Sequence, residues 1–381
     1  MLTPRERVLC AINHEEPDRV PIFFGTSSPT TMLSAAYENF KAYLGLQYPP
    51  RLLSKTFQYA QLDEEVLVRC GSDGRLIQPR ALPAVLRREL SESRLIDDWG
   101  ATWERRPGVP YYEVMDVPLR SATIDDLETY PWPDLASPAR FEGLAEEAKA
   151  LRENSPYAIV ALGYLTTFEH IQILRGLDTW LTDLAANPEF AHAILRKVTD
   201  LMVAGLGKYL DAVGPYIDLI TFSDDLGSQR APLISPRMYR RMIKPYQAEV
   251  ISAIKAHSKA KVFFHSCGNV YPLIGDFIEI GVDVLNPVQV SAGEMGDTAR
   301  LKREFGDKIT FCGAVDTQWV LPHGTTDDVR AEVRRRIHDL APGGGYILSA
   351  VHCIQPDVPP ENVLAMFDEA MVAGKYPLTV P

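Results

Sequence analysis

His265 and Cys267 stand two positions apart at the end of an apolar run, 260-AKVFFHSCGN. On a β-strand, alternate residues share a face, so the imidazole and the thiol point the same way, and Gly268 lets the chain turn off immediately afterwards. An imidazole and a thiolate converging on one point are the beginning of a zinc site, and a further ligand must come from another strand. Cys353 occupies the corresponding place at the end of 345-GYILSAVHC. Two thiolates, one imidazole and an open position describe a catalytic rather than a structural zinc. The bland alternative for any of these cysteines is a small core residue. Cys312, inside 308-KITFCGAV, is expected in the core, with a fourth ligand as the alternative, and Cys10 and Cys70 fall in helical patterns.

Other polar residues follow similar runs. Asp224 and Asp225 come after 219-LITFS, and being adjacent they face opposite ways, so at most one looks into a shared site. Gln289 ends 284-VLNPVQ, Asp316 follows 310-TFCGAV, and Glu169 and His170 follow 157-YAIVALGYLTTF. Each is a candidate to touch a substrate or to hold His265 in one tautomer. The alternative for Asp224, Asp225 and Asp316 is to cap the helix that follows.

These residues need a frame that gathers strand ends. Six short, almost continuously apolar runs begin near residues 157, 218, 260, 283, 308 and 345, as parallel strands buried on both faces require. Between them lie amphipathic stretches with helix-start signals at Asn187-Pro188, Ser235-Pro236, Thr326-Asp327-Asp328 and Pro360-Glu361-Asn362. With 20-VPIFFG as a further strand, the pattern predicts an α/β (β/α)8 TIM barrel, in which working residues lie at the C-terminal ends of strands. Gly343-Gly344-Gly345 precedes a strand and reads as a helix-terminating turn rather than a phosphate loop. The expected organisation is one barrel over residues 1–381, with residues 30–155 forming helices and loops that cap one end. Aromatic residues there (Trp99, Trp103, Tyr111, Tyr112) either pack that cap or line a pocket.

The 381-residue chain carries 39 basic and 50 acidic side chains, a net charge of −11, which argues against nucleic acid or an anionic membrane as its main partner. Its first residues show no apolar stretch of the signal-peptide kind, and nowhere do 18 apolar residues run together, so a cytoplasmic protein without membrane spans is expected. Five scattered cysteines do not suit a disulfide scaffold.

The ordered strings 265-HSCGNV, 285-LNPVQ, 312-CGAVDTQ and 352-HCIQPDVPPENV resemble the uroporphyrinogen decarboxylase superfamily, as do 3-TPRERVLCAINHEEPDRVPI, 98-DWGATW and 129-TYPWPD. The resemblance runs over essentially the whole chain and implies a (β/α)8 barrel. Metal-free decarboxylases of that superfamily hold their polyanionic substrate with an arginine-rich R-Q-A-G-R motif after the first strand. Here the position reads 21-PIFFGTSSPTTM, without arginine. The other branch, zinc-dependent methyltransferases acting with corrinoid proteins, is similar at His265 and Cys267 and at a late cysteine, here Cys353, where metal-free relatives tend to read His-Asn-Ile-Gln.

The resemblance therefore implies zinc on His265, Cys267 and Cys353, cobalamin on a partner protein, and a small thiol or methoxy compound as methyl acceptor or donor. Asp225, Gln289 and Asp316 would be the catalytic or orienting groups. The alternatives are a metal-free decarboxylase using Arg19 or Arg230, and a non-catalytic subunit that binds a corrinoid protein. A zinc hydrolase ranks below these, because thiolate-rich zinc is a weak Lewis acid.

Overall fold

A computed structural model describes residues 1–47, 49–82, 86–163 and 166–378. Seven parallel strands form one curled sheet: β1 (Gly74–Ile77), β2 (Ala158–Ala161), β3 (Leu219–Ser223), β4 (Lys261–His265), β5 (Val284–Val288), β6 (Thr310–Val315) and β7 (Tyr346–Ala350). Their order in the sheet is their order in the chain, the single winding of a TIM barrel. The six apolar runs account for β2 to β7, each buried along almost its whole length. Tyr164 and Leu165, at the end of the run that holds β2, lie outside the described residues.

The 20-VPIFFG stretch closes the ring with little regular pairing. Ile22 bridges Leu348 of β7 in parallel, and on the other side its carbonyl accepts from the Asp73 amide at 2.8 Å. This stretch therefore occupies the gap between β7 and β1. Inside the ring Phe23, Val160, Leu219, Phe263, Val284, Cys312 and Ile347 form a buried layer, joined by Val8 and Ile12. Those two belong to the helix Pro4–Ile12, which starts with a Thr3/Glu6 capping box and packs against β1, β2 and β7. The opening segment thus closes the bottom of the barrel.

The helix starts lie where their signals stand. Ser235 Oγ accepts from the Met238 amide at 3.2 Å, and helices begin at Pro188, Thr326 and Pro360. Gly343, Gly344 and Gly345 all have positive φ, after the helix Thr326–Leu340 and before β7, as a chain-reversing turn needs.

Residues 30–155 hold more than helices and loops. They supply β1 itself, whose run of apolar residues is broken by Arg75; its guanidinium, buried, stacks 3.4 Å from the Tyr157 ring centre and pairs with Glu64. They also hold a four-stranded antiparallel meander, Arg88–Ser91, Arg94–Ile96, Thr102–Glu104 and Glu113–Asp116. Trp99, Trp103 and Tyr112 are buried there and serve packing, whereas Tyr111 is exposed. The meander rests on the short hairpin of Leu52–Ser54 with Tyr59–Ala60, through Trp103 against Phe57 and the Tyr112 amide on the Thr56 carbonyl.

Candidate metal and substrate site

His265 is the last residue of β4, and the C-terminal ends of its neighbours surround it. Its Nδ1 lies 2.6 Å from Asn286 Oδ1 on β5. The Asn286 amide is oriented by a second bond, Nδ2 donating to the Cys312 carbonyl at 3.3 Å. An amide held that way presents its oxygen to the imidazole, so Nδ1 carries the proton and Nε2 keeps a free lone pair. Cys267 Sγ stands 3.3 Å from that Nε2. Two ligand atoms of a tetrahedral zinc are separated by about 3.5 Å at ordinary Zn–N and Zn–S lengths, so the pair already has the spacing of one tetrahedral edge.

The residue after β7 that comes nearest is the histidine of the His352–Cys353 dipeptide. Ligand atoms of His265, Cys267 and His352 all lie within 4.8 Å of one another, and the two imidazole centres are 5.5 Å apart. Cys353 Sγ is not one of these three but lies 3.2 Å from His352 Nδ1, where the Gln355 amide at 3.3 Å and Tyr59 also reach it. The third ligand type that gathers with His265 and Cys267 is thus His352, which sequence reasoning missed, and the expected Cys353 touches it from beside the group. The only sequence signal for it is its place beside the cysteine at a strand end.

Burial shapes these groups. It pushes the Cys353 thiol up to about 12, and it pushes the Cys267 thiol well above its ordinary value, aided by the nearby Asp225 and Glu169 carboxylates. Burial also pulls His352 down to about 4, so its imidazole is neutral at physiological pH. The cluster thus offers protonated thiols and the neutral imidazole of His352 beside Asp225.

The other candidates separate into two kinds. Asp225 faces the site: its Oδ1 accepts from the Cys267 amide at 2.7 Å and lies 3.7 Å from His265 Nε2. Gln289 Oε1 accepts from the Gly268 amide at 2.7 Å, which fixes the turn after Cys267, and its side chain lines the cavity. Asp224, fully buried, turns away and caps the helix Phe168–Arg175 from a neighbouring strand, accepting from the Thr167 hydroxyl and the Glu169 amide at 3.0 Å, with the Gln247 amide at 2.8 Å. Asp316, expected among the catalytic or orienting groups, caps instead: its carboxylate accepts from the amides of Gln318, Trp319 and Val320, at 2.9 Å for the first. Cys312 lies in the barrel's interior layer, and burial pushes its thiol up. Cys70 is buried and Cys10 half-buried, both away from the cluster.

Glu169 comes to the site through the helix that Asp224 caps. Its carboxyl is raised to about 8 by burial and by Asp225 and Asp224, so it holds a proton at neutral pH. His170 turns into the cap, 4.4 Å from Trp99 and 2.6 Å from the Thr166 hydroxyl. Arg19, a possible substrate clamp by sequence, is at the opposite end of the barrel, bound to Asp73 and to the carbonyls of Val20 and Gly71. The stretch after Phe24 places hydroxyls, not cations, in the barrel wall: Thr26, Ser27 and Thr30 are buried and bonded among themselves.

Above the cluster opens a cavity of about 390 Å³, bordered by the loops after β3 to β7. Two of these loops touch backbone to backbone. A side chain at Gly227 or Gly268 would come within 3 Å of the other loop's main chain, so both positions require glycine, and Gly268 also has φ +84°.

Fold, strand-end cluster and cavity together define an enzyme of the TIM-barrel class with its site at the usual face. The chain belongs to the uroporphyrinogen decarboxylase family: the model of the family described as Uroporphyrinogen decarboxylase (URO-D) matches residues 110–371. Among its relatives, Uroporphyrinogen decarboxylase of Chlorobaculum tepidum is 24% identical over 194 residues, half of this chain and 51% of that protein. Methylcobamide:CoM methyltransferase MtaA of Methanosarcina barkeri is 24% identical over 244 residues, 60% of this chain and 67% of that one. A solved methyltransferase from Methanosarcina mazei shares the fold over 98% of this chain and 99% of its own, with TM-score 0.67 and 20% identity. No helix among the described residues is long and apolar enough to cross a membrane.

Proposed function

We propose that this chain is a zinc-dependent methyltransferase that moves a methyl group between the corrinoid of a cobalamin-bearing partner protein and a small thiol or methoxy substrate. The observation that carries the reading is the meeting of His265 and Cys267 with the His352–Cys353 pair at the mouth of the barrel. Of the two relatives above one is a methyltransferase and one a decarboxylase, and the lack of lysine and arginine in 21-PIFFGTSSPTTM favours the methyltransferase over a decarboxylase of polyanions.

The residues fit a zinc ion by their chemistry. Imidazoles with available lone pairs and thiols are its preferred donors, and a dication beside buried, protonated thiols displaces their protons. His265, Cys267 and Cys353 would hold the metal, with His352 placed to serve beside or instead of Cys353. When bound, zinc would supply a lowered pKa for a substrate thiol or polarisation of a methoxy oxygen.

The chain's own groups do the rest. Asn286 fixes the His265 tautomer, so the ligand atom needs no rearrangement. Asp225 and Gln289 hold the backbone on either side of Cys267, which sets the direction of its sulfur. Asp225 is also the carboxylate nearest the cluster, placed to take the proton that a substrate thiol loses, and Glu169 beside it keeps a proton available for return.

Metal analysis of protein produced with zinc present tests the reading. About one ion per chain is expected for the wild type, and a small fraction of that for Cys267→Ser. Parallel Cys353→Ser and His352→Ala variants show which of the two is the ligand. Methyl transfer between a methylated corrinoid and a thiol should fall with metal content. Release of carbon dioxide from uroporphyrinogen by metal-stripped protein would replace the reading with a decarboxylase.

A further inference from the structure

The cavity above the cluster is polar without being charged. Its polar lining comes from Ser228, Gln229, Gln289, Thr317, Gln318 and His352, and among the described residues that line it there is no lysine, arginine, aspartate or glutamate. Two acidic groups stand beneath its floor: Asp225, which accepts from the Cys267 amide, and the protonated Glu169 beside it. Arg230 follows the lining residue Gln229, but it is exposed, and it reaches this region through its backbone carbonyl, which accepts from Asn269 at 2.9 Å.

An anionic group drawn into this space would give up its hydration with no lysine or arginine to replace it; a zinc held by two thiolates would carry almost no net charge to offer, and Asp225 stands beside it. A hydroxyl, phenol or ether loses far less on entry and finds amide and hydroxyl partners. Resting on the methyl-transfer reading, we infer that the small methyl donor or acceptor of this site is an uncharged molecule with a hydrogen-bonding group, not a carboxylate, sulfonate or phosphate. The glutamines and Ser228 and Thr317 are then the groups that select it.

Calorimetric titration of the zinc-loaded protein with matched pairs tests this. One pair is 2-mercaptoethanol against 2-mercaptoethanesulfonate; the other is 3-methoxybenzyl alcohol against 3-methoxybenzoate. In whichever pair binds, the neutral member should bind at least about tenfold tighter. Gln318→Lys and Gln229→Lys should each narrow that ratio about fivefold or more by supplying the missing counter-charge. An anion that binds as tightly as its neutral partner overturns the inference, as does a ratio that neither lysine variant moves, or a metal-replete protein that binds neither pair. The reading beneath is judged separately: protein that holds no zinc and transfers no methyl group refutes that reading, whatever the binding ratios.

Discussion

At the N-terminal end of the strands, Asp73 accepts from Arg7 at 2.6 Å, from Arg19 at 2.8 Å and from the Ile22 amide at 2.8 Å, while it is almost wholly buried. Asp218 does the same between Arg5, Arg152 and the Ile159 amide. At the C-terminal end, Asp225 and Glu169 lie beside thiols and imidazoles, with no guanidinium among the described cavity-lining residues. One end spends these two carboxylates on internal ion pairs. The other keeps acceptors and lone pairs unspent, at a cost in stability that a bound cation and substrate would offset. Barrels separate the two tasks by face, and this one does so with the same residue type.

Removing the bottom partner should damage folding and spare chemistry. Asp73→Ala takes from Arg19 its carboxylate partner and from Arg7 one of two, and is expected to cost about 3–5 kcal/mol in chemical denaturation, with zinc content of the folded fraction unaltered. A loss of metal in that variant would mean the ends are not separable. Cys267→Ala should do the reverse: methyl transfer falls by more than about 100-fold and metal content collapses, while metal-free wild type and variant unfold at similar denaturant. Asn286→Leu removes no ligand but frees the His265 ring, and zinc affinity should drop about 10–100-fold in a competitive chelator titration. Unchanged affinity would show that the 2.6 Å bond does not set the tautomer.

The smallest effect concerns Asp18, which shares Arg7 with Asp73. Burial pushes its carboxyl up, but the Arg7 guanidinium and the amides of Leu2 and Arg19 outweigh this and hold it below its ordinary 3.8. Its stabilisation is therefore present above pH about 4 and lost as pH falls through the lower folded value. Asp18→Asn should cost about 1–2 kcal/mol at neutral pH and flatten the acid limb of the stability curve. A parallel, unflattened limb would assign acid sensitivity elsewhere.

Six of the seven strands and the His265–Cys267 pair are legible in the sequence, because continuous apolar runs and period-two spacing survive without tertiary information. β1 is not, since four residues containing a buried arginine look like loop until Tyr157 and Glu64 are seen around it. The choice between Asp224 and Asp225 is legible only as a choice; what decides it is the helix at Phe168, brought across from another strand. Asp316 illustrates the opposite error: a carboxylate at a strand end serves the next turn as readily as a substrate. His352 was hidden by its neighbour, because the spacing argument has room for one ligand at that strand end and a cysteine stands there.

The contact between Gly227 and Gly268 bears on how such a protein can change its diet. Loops on this face of a barrel are ordinarily free to lengthen and diverge independently, yet here two of them are pressed together where no Cβ fits. An insertion in either would push the other and shift the sulfur of Cys267. New substrates are therefore expected to be reached by exchanging single side chains such as Gln229 and Gln318 on an immobile rim, with the backbone of those two loops held constant from one relative to the next.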